Sequence, residues 1–169
     1  MENKMHTKFP SMPLHSQHMK IRTAGLLSEK SATFGMTRKR ADGTPRAHQG
    51  VDLAIDPGYR VYAVDNGSVA YTENSRTGYG KQICLKLDSG LFAFYAHLGR
   101  IDVVTGQQVT AGQQIGLSGS SGNAAGMNTE EQGSHLHFEV RTSVRPGVGL
   151  GGRIDPLPFL TLTKDIIVS

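Results

Sequence analysis

From about position 42 onward, the chain alternates short apolar runs with glycine-centred breaks. Runs at residues 51–55, 61–64, 68–73, 82–87, 91–97, 114–118 and 135–141 are rich in β-branched and aromatic residues. Each is bounded by turn formers, a combination that predicts strands. Asp88-Ser89-Gly90 sits between two of the runs as a hairpin turn. No stretch repeats its apolar residues with a period of 3.6 between caps, so little helix is expected. The predicted fold class is all-β, a compact antiparallel β-sheet or sandwich-like domain. One such domain is expected over residues 21–165, with a further candidate strand at 21–27 and a flexible basic leader over 1–20. Two glycine-rich stretches, 119–134 and 142–153, read as long loops, which in a compact domain commonly form functional rims.

Composition narrows the class. The 169 residues are 37% hydrophobic with a mean hydropathy of −0.30, and no apolar run approaches the length of a membrane-spanning helix. A lone cysteine, Cys84, can form neither an internal disulfide nor a thiolate metal site, and it reads as a small core residue. Charge is uneven. Residues 1–46 carry nine Lys/Arg against three acids, and the remainder carries nine against eleven. A basic segment suits an anionic polymer such as nucleic acid or cell wall, but composition favours the blander reading of a solubilising or expression-related tail, and no nucleic-acid partner is expected. The first twenty residues are polar and hold no apolar core behind a basic start, so no Sec-type signal peptide is expected.

The histidines carry the chemistry. His6, His15 and His18 lie in the leader and read as solvated. His48 opens the segment His48-Gln49-Gly50-Val51-Asp52. If extended, that segment puts His48 and Asp52 on one side with Gly50 as an open floor between them. His135 and His137 are an i, i+2 pair that faces one way on a strand while Leu136 and Phe138 face the core. His97 closes the run FAFYAHL as a strand end. Any one of these is more often a satisfied core or surface histidine; it is their grouping that argues for a site. Imidazole and carboxylate together form the donor set zinc takes where thiolates are absent. An open catalytic site needs three such ligands, and surplus imidazoles beside it are natural acid–base groups. Glu139 could orient a ligand, though an ordinary salt bridge is the simpler reading. Tyr59, Tyr71, Tyr79 and Tyr95 read as packing.

These motifs resemble those of the lysostaphin-type zinc endopeptidases, which cut peptidoglycan peptides. The resemblance rests on H-x-G-x-D at 48–52, Y-A-H-L at 95–98 and H-L-H-F-E at 135–139. Supporting pieces follow in family order: VYAVDNG at 61–67, Gly78-Tyr79-Gly80, QQVTAGQQIGLSG at 107–119 and Asp155-Pro156. Together they span about residues 33–160. The resemblance implies the duplicated hybrid motif fold, an antiparallel β-sheet assembly whose site lies in a narrow groove walled by loops. It implies one Zn2+ per chain held by His48, Asp52 and His137, with His97 and His135 as the catalytic histidines, their roles undivided. The stretches before His135 and before Asp155 are longer than the family pattern, which bears on substrate preference.

The expected function is zinc-dependent hydrolysis of peptidoglycan stem peptides or cross-bridges by a monomer. Two rivals are a non-catalytic relative that binds wall or activates an amidase, and a phosphoryl-carrier domain of similar fold. A third, a structural metal site, would want a fourth protein ligand. With no signal peptide expected, the chain would reach the periplasm or wall of a target cell through a secretion system or a phage. An injected toxin would imply a periplasmic immunity protein as partner.

Overall fold

The computed structural model describes residues 20–21, 29–129, 132 and 134–160. The leader apart from Lys20, the candidate strand at 21–27 apart from Ile21, and residues 161–165 lie outside these. The strands, in chain order, are β1 (Lys20–Ile21), β2 (Gly35–Lys39), β3 (Pro45–His48), β4 (Val51–Ala54), β5 (Arg60–Tyr62), β6 (Gly67–Asn74), β7 (Lys81–Leu87), β8 (Phe92–Ile101), β9 (Gln108–Val109), β10 (Gln114–Ser118), β11 (His135–Arg141) and β12 (Arg153–Ile154). Helical structure among the described residues is confined to short 3-10 turns, including Glu29–Ala32 and Gly122–Ala124. The all-β antiparallel reading is therefore what the molecule adopts.

Ten strands form one antiparallel sheet ordered β1-β4-β11-β8-β7-β6-β9, with β10 on β5 and β8, and β12 on β11. Strands β2 and β3 form a separate two-stranded hairpin. The predicted turn at Asp88-Ser89-Gly90 joins β7 to β8, with Gly90 at φ +92°, where a side chain would be strained.

Alternation sorts the sheet's two faces. On β11, Leu136, Phe138 and Val140 enter the main core beside Val51 and Leu53 of β4 and Ala93 and Tyr95 of β8. The opposite face receives His135, His137 and Glu139. Register places His137 between Asp52 of β4 and Ala96 of β8. Tyr95 is core, as expected, its hydroxyl donating to the Tyr62 carbonyl at 3.0 Å.

Two local expectations are corrected. His97 does not end its strand, since β8 runs on to Ile101. Between the pairs Lys81–Leu98 and Ile83–Tyr95, β8 holds one residue more than β7, a β-bulge. His97 sits in it at φ 59°, the one non-glycine residue with positive φ among those described. Strict alternation would send His97 to the core side with Ala93 and Tyr95. The bulge sends it to the site face, and Leu98 takes the core position. Nor is the 48–52 segment one strand. It breaks at Gln49–Gly50, so that His48 belongs to the β2–β3 hairpin and Asp52 to the large sheet. Gly50 is no open floor, because a Cβ there would collide with the Phe138 carbonyl oxygen.

Candidate metal centre

The switch between sheets brings His48 over Asp52, and the β4–β11 register brings His137 beside it. His48 Nε2 lies 3.2 Å and His137 Nδ1 2.9 Å from Asp52 Oδ1. All three residues are buried, and their donor atoms lie within 4.8 Å of one another.

The protons on these rings follow from the surroundings. His48 Nδ1 is 2.9 Å from the Thr33 carbonyl, which can only accept, so Nδ1 carries the proton. Nε2 is then a lone pair, buried without a hydrogen bond and turned toward a carboxylate oxygen. Burial also pushes the His48 pKa down, keeping the ring neutral. Two lone pairs meeting in the interior call for a cation between them. The set of two imidazoles and one carboxylate, with no thiolate, fits zinc.

A surrounding layer fixes each donor. Asp52 Oδ2 accepts from Arg38 Nη2 at 2.7 Å, and Arg38 Nε donates to the Ser31 carbonyl. Burial alone would raise the Asp52 pKa, but His135 and His137 outweigh it and hold the carboxyl well below its ordinary range. His137 Nε2 lies 3.0 Å from Glu139 Oε1, which leaves Nδ1 toward Asp52. Glu139 is fully buried, with Oε2 held by Arg141 at 2.6 Å and Arg153 at 2.9 Å. Glu139 is thus both the salt-bridge partner favoured from sequence and a group that orients His137. Its carboxyl is held below the usual range, because His137 and Arg141 overcome the cost of burial.

The other two histidines come to the same place. The His135 ring centroid is 5.0 Å from that of His97, and His135 Nε2 is 3.7 Å from Asp52 Oδ1. His97 Nδ1 is 2.8 Å from the Ser121 carbonyl, so Nδ1 carries the proton and Nε2 is left as an acceptor. Burial, with His135 and His137 nearby, pushes the His97 pKa down to about 3.

The site opens into a groove of about 530 Å³. Residues from both glycine-rich loops line it, including Ala124, Met127 and Val148. Sequence reasoning missed Arg38, which it counted only in the basic balance of residues 1–46. It also read Tyr79 as mere packing. The Tyr79 ring stacks on His137 at 5.1 Å, and its hydroxyl donates to Glu139 at 2.8 Å while Gln49 donates to it. The signal was its placement in the turn Gly78-Tyr79-Gly80, whose glycines both take positive φ.

Residues 46–155 match the family described as Peptidase family M23. Outer membrane antigenic lipoprotein B of Haemophilus influenzae is 34% identical over 128 residues, covering 76% of this chain and 28% of that protein. Murein hydrolase activator NlpD of Salmonella dublin is 32% identical over 128 residues, covering 76% and 30%. The chain thus spans less than a third of the length of these curated relatives. Among solved structures, a zinc containing peptidase from Vibrio cholerae superposes with a TM-score of 0.65 at 28% identity, covering 88% of this chain and 39% of that one. The catalytic domain of lysostaphin from Staphylococcus simulans gives 0.60 at 30% identity, covering 76% and 87%.

Proposed function

Because the chain belongs to peptidase family M23, we propose that it is a zinc-dependent endopeptidase acting on peptide cross-links of bacterial peptidoglycan. The observation that carries this reading is the unpartnered His48 Nε2, buried and aimed at Asp52 beside His137. In this reading His48, Asp52 and His137 hold the ion, and His97 and His135 do the proton work. Bound there, zinc supplies Lewis acidity toward a peptide carbonyl and toward water. His97, neutral and anchored on Ser121, offers Nε2 as a proton acceptor to attacking water. His135, across from it, is the donor toward the carbonyl oxygen or the departing amine. The Arg38–Asp52 and Glu139–His137 contacts keep the holding groups in place through the reaction.

A second reading has its own support, since relatives of similar identity are named murein hydrolase activators. The full set of five site residues favours catalysis over activation. That one named relative is an outer membrane lipoprotein and another a murein hydrolase activator supports a substrate in the cell envelope; the reading does not extend to delivery into a target cell or to an immunity partner. Zinc content and fragment release from purified peptidoglycan separate the two readings. We expect about one zinc per chain and release of peptide fragments by the chain alone. His48→Ala, Asp52→Ala or His137→Ala should lose metal and hydrolysis together. His135→Ala should keep the metal and lose on the order of 10²-fold in rate. Metal-loaded protein that frees nothing by itself but accelerates an added amidase would establish the activator instead.

A further inference from the structure

The groove is walled by unlike chemistry at its two ends. At the β4 end stands the β2–β3 hairpin with Arg38 and Arg46. At the β7–β8 end stands the 3-10 turn with Ala124, followed by Met127; it is tied to the Gly78-Tyr79-Gly80 turn through Asn123. Among the described residues Asp52 is the one acid in the lining, and its carboxylate is already engaged by Arg38 and His137.

Arg38 and Arg46 face each other directly across the hairpin. Like charges in that position repel and weaken a strand pair. Arg38 is satisfied by Asp52 and Ser31, whereas Arg46 is exposed and has no hydrogen bond or ion pair among the described residues. Arg46 also stands two residues before His48 on β3, on the same face and roughly 7 Å along the strand. An anion bound there would relieve the Arg–Arg repulsion and sit within about two residues of a scissile bond held at the metal centre.

We propose that Arg46, backed by Arg38, binds a carboxylate of the substrate peptide, so that the chain selects cross-links bearing a free carboxylate beside the scissile bond over amidated or glycine bridges. The small apolar wall at Ala124 and Met127 suits a methyl side chain on the other side of that bond. The proposal rests on the peptidase reading for its substrate, and its test is a binding measurement that needs no turnover. The probe is a fluorescent D-Ala–diaminopimelate cross-linked peptide with the scissile amide N-methylated, made with either a free carboxyl or a carboxamide on the diaminopimelate. Zinc-loaded protein should bind the acid about tenfold more tightly than the amide. That ratio should fall toward one in Arg46→Ala and below one in Arg46→Glu, with zinc content retained in both. Equal affinities in the unmodified chain, binding of neither peptide, or a ratio that survives both substitutions would overturn the proposal. Preference for the acid by a chain that cuts no peptidoglycan would uphold it and overturn the peptidase reading instead.

Discussion

His137 is pulled from both sides. Its Nδ1 faces Asp52 and its Nε2 faces Glu139, both near 3 Å. Burial would lower its pKa, but the hydrogen bonds to Asp52 and Glu139 and their charges raise it to about 9. Without metal, the protonated ring therefore ties two carboxylates together. Its folded pKa lies above the ordinary value of 6.5, so the stabilisation is complete below 6.5 and is lost as pH climbs through about 9. Zinc would replace the proton on Nδ1 and remove that dependence. Chelated protein should accordingly lose thermal stability between pH 6.5 and 9, while zinc-loaded protein holds level across the same window. Melting curves at a series of pH values decide this, and parallel slopes for the two forms would contradict it. His137→Gln, which cannot titrate, should flatten the chelated curve.

At the scale of elements, the bulge in β8 is what delivers His97 to the groove. Its φ of 59° is tolerated poorly by alanine and freely by glycine. His97→Gly should therefore be more stable than His97→Ala by about 1 kcal/mol, the reverse of the usual order in a strand. Urea unfolding of both variants in chelator measures the difference, and alanine matching or exceeding glycine would show that the bulge relaxes on substitution. This element also marks how far sequence could reach. Strand β11 was legible because its alternation is unbroken and its two histidines share a face. The Tyr95-Ala96-His97-Leu98 motif named the right residue, but a bulge leaves no period to read, and so the strand was ended too early. The hairpin β2–β3 was invisible because its residues are mostly polar, none but His48 is fully buried, and its apolar alternation is missing. Arg38 went unread with it. Glu139 and Tyr79 were seen, but the hydrogen bond between them and the stacking of Tyr79 on His137 need side chains some sixty residues apart to meet on one face.

At the scale of the molecule, the three candidate ligands straddle two sheets, with His48 on the hairpin and Asp52 and His137 on the large sheet. An ion held among them would be a fastener between the two. Since it would bind only the folded chain, it adds about 4 kcal/mol when free zinc is a thousandfold above its Kd. Chelation should lower the melting temperature and speed amide exchange first in residues 35–48, while the β6–β8 strands keep their protection. Uniform exchange changes throughout the sheet would contradict the fastener. The family match begins at residue 46, yet the carbonyl that sets the His48 proton belongs to Thr33, and the cation on Asp52 is Arg38, itself steadied by Ser31. A fragment cut where the family match begins would keep every residue the motifs name and lose the groups that aim two of them. The smallest piece able to grip a metal therefore starts ahead of Ser31, some fifteen residues before the family match begins.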